Sequence, residues 1–77
     1  MKLDIISPEK NLYSGTAESI MLPGLKGAFT ILERHAPIIS GLNEGTLTYR
    51  NERETISLQI KGGFVEAKNN IVNVCVE

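Results

Sequence analysis

Turn signals recur in this sequence too often for anything but short strands. Pro8 to Asn11, Pro23-Gly24, Lys26-Gly27, Ala36-Pro37, Asn43-Glu44-Gly45, Arg50 to Arg53, Gly62-Gly63 and Asn69-Asn70 punctuate all 77 residues. Between them no segment carries a long helical periodicity, and alternation of apolar and polar residues takes its place. Thr55-Ile56-Ser57-Leu58-Gln59-Ile60 is the clearest case, with Ile56, Leu58 and Ile60 on one face and Thr55, Ser57 and Gln59 on the other. Val72, Val74 and Val76 repeat the pattern at the end of the chain, and Leu47 and Tyr49 repeat it between Thr46 and Thr48. Pro37 forbids helix at Ala36. Asn69-Asn70 supplies the positive-φ pair of a tight two-residue hairpin. The expectation is one all-β domain over residues 1–77, a small β-sandwich of eight to ten short strands.

Several segments are apolar on both faces: Leu3 with Ile5 and Ile6, Ile20 with Met21 and Leu22, Ile38 with Ile39. Adjacent aliphatics point to opposite sides of a strand. One of each set therefore meets the core and the other meets a second layer or a partner.

Composition removes whole classes of function. Eight basic and nine acidic residues give a net charge of −1, so there is no electrostatic footprint for nucleic acid. Four aromatics, Tyr13, Phe29, Tyr49 and Phe64, are few for base stacking. No apolar run approaches the length of a membrane span, so no direct membrane insertion is expected. Asp4 and Pro8 interrupt the start too early for a targeting peptide. The single cysteine, Cys75, excludes an internal disulfide and a multi-cysteine zinc site. No cofactor or metal is expected. His35, the one histidine, has no nucleophile beside it and reads as a residue that shapes the turn before Pro37 or meets a partner. Gly62-Gly63 lacks the spacing of a phosphate cradle and reads as a kink where the chain crosses between sheets. Arg50 to Glu54 mixes signs, as a solvated hairpin tip does.

Four collinear blocks carry a resemblance. They are Leu3-Asp4-Ile5-Ile6-Ser7-Pro8-Glu9 with Leu12-Tyr13-Ser14-Gly15; Ala17-Glu18-Ser19-Ile20; Gly27 to Ile39 with its His35-Ala36-Pro37; and Gly62-Gly63-Phe64-Val65-Glu66 with Asn70-Ile71-Val72-Asn73-Val74. Together they resemble the N-terminal β-sandwich of the epsilon subunit of F-type ATP synthases, called delta in mitochondria. The resemblance implies a non-catalytic rotor subunit of the central stalk. It would link the gamma subunit to the membrane c-ring, couple proton or sodium flow to ATP synthesis, and lie on the cytoplasmic face of a bacterial inner membrane. It places Ser7, Ser40 and Leu42 on the gamma side, and Ala28, Glu33, Arg34 and His35 on the c-ring side. In relatives an inhibitory helical pair follows the sandwich; this sequence stops at Glu77, and none is expected here. Ala28 stands where relatives are often acidic, so Glu33 and Arg34 are expected to supply the polar contacts. Glu33-Arg34 replaces a frequent Pro-Gly, and Thr30 a frequent glycine. Apart from the complex, a monomer is expected. One competing reading is a biotinyl- or lipoyl-type carrier modified at Lys68, against which the residues flanking Lys68 speak.

Overall fold

The computed structural model describes all 77 residues, and it contains nine strands and no helix. They are β1 (Lys2–Ile6), β2 (Asn11–Thr16), β3 (Ser19–Gly24), β4 (Gly27–Leu32), β5 (Ile38–Leu42), β6 (Gly45–Arg50), β7 (Thr55–Ile60), β8 (Gly63–Lys68) and β9 (Ile71–Val76). The expected all-β class and strand number hold. Hydrogen bonding runs through one curled sheet in the order β2-β1-β9-β8-β5-β3-β6-β7, with β4 added to the other edge of β3.

The curl happens at one place. β5 pairs with β8 over five residues but reaches β3 only at Leu42 opposite Gly24. There the sheet folds over, leaving β2, β1, β9, β8 and β5 in one layer and β4, β3, β6 and β7 in the other. Pro23 sits beside this fold. Its carbonyl accepts the Asn43 N–H at 2.8 Å. Carbonyl and N–H of one strand residue point to the same edge. The missing proline N–H therefore falls on the side where β6 no longer pairs with β3, and no ladder bond is lost.

The core follows the alternation. Leu3 and Ile5 of β1, Val65 of β8, Val72 and Val74 of β9 face Ile20 and Leu22 of β3, Ile31 of β4 and Leu47 of β6, all essentially inaccessible. Each such side chain contributes about 1.5–3 kcal/mol by leaving water. Ile60 and Val76 are buried, and Ile56 and Leu58 are half-buried against the same cluster. At the far seam Tyr13 and Tyr49 pack with ring centroids 4.4 Å apart.

The turns behave as read. Asn69 and Asn70 have φ of 55° and 61°. Gly62 and Gly63 lie where the chain passes from β7 in one layer to β8 in the other, with φ of 150° and 144°. A Cβ on Gly63 would fall 2.0 Å from the Cys75 carbonyl oxygen, so only glycine lets β8 approach β9 there. Leu25-Lys26 forms a two-residue turn joining β3 to β4.

The doubly apolar segments resolve in one direction. Ile6 is 40% exposed, Met21 49% and Ile39 74%. No second layer of this chain covers their outer faces.

Candidate functional site

Register converts these bare side chains into a surface. On the outer face of the first layer, Ile6 of β1 lies opposite Cys75 of β9, Cys75 opposite Phe64 of β8, and Phe64 opposite Gly41 of β5. Gly41 has no side chain, and Leu25 from the β3–β4 turn occupies that space: a Cβ on Gly41 would fall 2.6 Å from Leu25 Cδ1. Ile39, on the same face of β5, extends the row. Phe64 and Leu25 are half exposed or more. The result is an apolar strip crossing four strands, where one face of a sheet would otherwise be polar.

The residues assigned to gamma relate to this strip in three different ways. Ser7 follows Ile6 directly, in a turn closed by Ser7 N–H to the Lys10 carbonyl at 2.9 Å and by Ser7 Oγ to the same carbonyl at 3.1 Å. Ser40 lies between Ile39 and Gly41 but on the other face of β5. There it lines a groove of about 350 Å³ between β4 and β5, together with Leu25, Phe29 and Ile38. Its hydroxyl donates to the Gly41 carbonyl at 3.0 Å. Leu42 is a correction. Only 5% exposed, it belongs to the core, because it shares the inward face of β5 with Ile38 and Ser40. Its side chain is not available to a partner. Ile39 is the exposed aliphatic of this strand; it and Ile6 come from the doubly apolar segments read in the sequence, whereas Phe64 and Leu25 were not singled out there.

The four residues assigned to the c-ring are not brought together. Ala28 pairs with Pro23 one step from the Leu25-Lys26 turn, whereas Glu33 to His35 follow the opposite end of β4. Four steps of strand carry the chain about 13 Å from Ala28 to Leu32, where the turn that holds Glu33 to His35 begins.

Glu33, Arg34 and His35 instead build a closed cluster with the β8–β9 turn. The Glu33 carboxylate pairs with the Met1 ammonium, which also donates to the Ala17 carbonyl at 3.0 Å. Asn70 Nδ2 donates to the second Glu33 oxygen at 3.3 Å, and Asn70 Oδ1 accepts the Arg34 N–H at 2.8 Å. Hydrogen bonds from the ammonium and then from Asn70 hold the Glu33 carboxyl below its ordinary pKa. Arg34 adopts φ of 61°, which lets the chain turn back so that the His35 N–H reaches the Leu32 carbonyl at 3.2 Å. His35 Nδ1 lies 2.7 Å from the Ala36 carbonyl oxygen. The histidine shapes its own turn.

Residues 1–77 match the family model described as the ATP synthase delta/epsilon chain β-sandwich domain. Curated relatives include the ATP synthase epsilon chain of Leptospira interrogans, 40% identical over all 77 residues and covered over 61% of its own length. That of a Synechococcus strain is 38% identical over 76 residues, with 55% of its length covered. The chain thus spans somewhat more than half the length of these relatives. Among solved structures, a chain in the central stalk and c-ring structure of the Tetrahymena thermophila mitochondrial ATP synthase superposes with a TM-score of 0.82 at 17% identity, covering 97% of this chain and 61% of that one. One from the Euglena gracilis mitochondrial ATP synthase reaches 0.89 at 18% identity, covering 96% of this chain and 48% of that one.

Proposed function

The chain belongs to the family of ATP synthase delta/epsilon chains, as their β-sandwich domain. From that premise we propose that it is a non-catalytic part of the rotor. The first layer binds the gamma subunit, and the β3–β4 turn seats on the c-ring. In this role the sandwich is a stiff spacer that rotates with both partners and couples proton or sodium flow to ATP synthesis. Close packing of β-branched side chains between short turns gives the stiffness that transmitted torque requires. The relatives include bacterial and chloroplast proteins, and the proposed location is the cytoplasmic face of a bacterial inner membrane, as part of the complex.

The observation that carries the gamma assignment is the strip of Ile6, Phe64, Leu25 and Ile39. An interface core is apolar and poor in charge, with a polar rim. Ser7 lies at one end of this strip, as a rim residue would, whereas Ser40 faces the groove on the other side of β5. A specific contact covers about 800 Å² on each partner, so the strip serves as its centre and not its whole.

The c-ring assignment favours Lys26 and Ala28 at the β3–β4 turn, whose Leu25 packs over Gly41 in the strip. Glu33 and His35 make their polar contacts within the chain, to Met1, Asn70 and Ala36. Arg34 is left at the other end of β4. The carrier reading gives way to the family match; Lys68 is the last ladder residue before the β8–β9 turn, opposite Ile71.

The test is co-purification with the gamma subunit from the same genome, read by native mass. A one-to-one complex is expected. Ile39→Arg with Phe64→Arg should weaken it at least 100-fold, equivalent to about 2.7 kcal/mol. A complex indifferent to both substitutions would remove the assignment. Cysteine cross-linking to the c-ring loops should succeed from Lys26 and fail from Arg34.

A further inference from the structure

The sheet has free edges on β2, β4 and β7, and they are not alike. β2 is irregular, with a register shift where it meets Ile5 and Ile6. β4 runs along the groove toward β5 and ends in the Glu33–Asn70 cluster. β7 has neither device. It pairs with β6 through six consecutive residues without a shift, and its other edge bonds nothing. Within Thr55–Ile60 there is no charge, no proline and no glycine. Natural edge strands are usually blunted by one of these. Ile56 and Leu58 are only half-buried, because the layer ends at this strand.

We propose that β7 is a self-association edge, on which a second copy of this chain adds its own β7 in antiparallel pairing. The sequence suits that occupant. A two-fold axis perpendicular to the sheet through Leu58 sets Ile56 opposite Ile60 of the second copy, and Ser57 opposite its Gln59. Inward residues then meet inward residues, so the two cores join across an eight-stranded layer. In this register Glu54 falls opposite Gly62 of the second copy and Lys61 opposite its Thr55, so no like charges meet across the pair.

The contact is weak by size. One six-residue edge buries less than the about 800 Å² per partner of a stable complex. Association is therefore weak, and the monomer expected from sequence is the dilute state. This edge lies in the layer opposite the apolar strip and is independent of the gamma assignment.

Sedimentation equilibrium from about 20 μM to about 2 mM reads the association. The weight-average mass should climb from 8.4 kDa toward twice that value. Ser57→Lys with Gln59→Lys, and separately Ser57→Glu with Gln59→Glu, place like charges across the pair on a solvent face. Each variant, checked for native circular dichroism, should stay at 8.4 kDa over the same range. An equimolar mixture of the two should recover association. A wild-type mass that does not rise overturns the proposal. So do variants that associate as the wild type does, which would put the contact on another face such as the apolar strip. A mixture that fails to recover also overturns it.

Discussion

Leu42 and Ile39 lie three residues apart and have opposite fates. Leu42→Arg would put an unpaired charge into the core and should leave the chain unfolded, as judged by loss of its circular dichroism. Ile39→Arg, at a side chain 74% exposed, should leave the melting temperature within a few degrees of wild type and act on binding alone. Gly63→Ala tests a different constraint. Its Cβ would meet the Cys75 carbonyl at 2.0 Å, and φ of 144° is a glycine conformation. A loss of about 2–4 kcal/mol in urea unfolding is expected, from strain and displaced backbone together. Glu33 makes a pH prediction. Its folded pKa lies below its ordinary value, so its ion pair stabilises the chain above the ordinary carboxylate range. That stability is lost as pH falls through the lowered folded value. Glu33→Gln should leave the fold intact and flatten this acid-side loss in a series of melts from pH 7 to pH 3.

Among the elements, the β8–β9 hairpin joins two functions in one residue. Asn70 supplies a positive φ to the turn and holds both Glu33 and the Arg34 N–H with its side chain. Asn70→Gly keeps the backbone and removes the side-chain bonds, whereas Asn70→Ala removes both. The alanine variant should be the less stable in urea unfolding, by about 0.5–1 kcal/mol relative to glycine. The turn itself was legible because Asn-Asn between alternating strands has few other uses. The inward faces of β7 and β9 were legible because their polar residues left no choice of side. In β5 that information is missing. Ile38 and Ile39 are both apolar, and only the pairing of Ser40 with Val65 on β8 decides which of them turns outward. The same limit split the expected c-ring set. Ala28 and His35 are near in sequence, but a strand carries them apart, and nothing in the local residues says where a straight run ends.

The whole molecule presents two differently built outer faces. The first layer shows Ile6, Phe64, Leu25 and Ile39 in a continuous strip. The second shows hydroxyl and amide pairs, Thr48 with Ser57 at 3.0 Å and Gln59 with Thr46 at 2.7 Å, around a half-exposed Met21. Family membership was readable from four collinear blocks. The strip was not, because it is assembled from four strands and a turn that only the register aligns. Its assignment to gamma is the central claim, and amide chemical-shift mapping tests it most directly. The isotope-labelled chain is titrated with unlabelled gamma subunit. Shifts and line broadening should concentrate at Ile6, Ser7, Leu25, Ile39, Phe64 and Cys75, with Met21, Thr48 and Ser57 unmoved. Perturbation centred on the second layer, with the strip unchanged, would contradict the account.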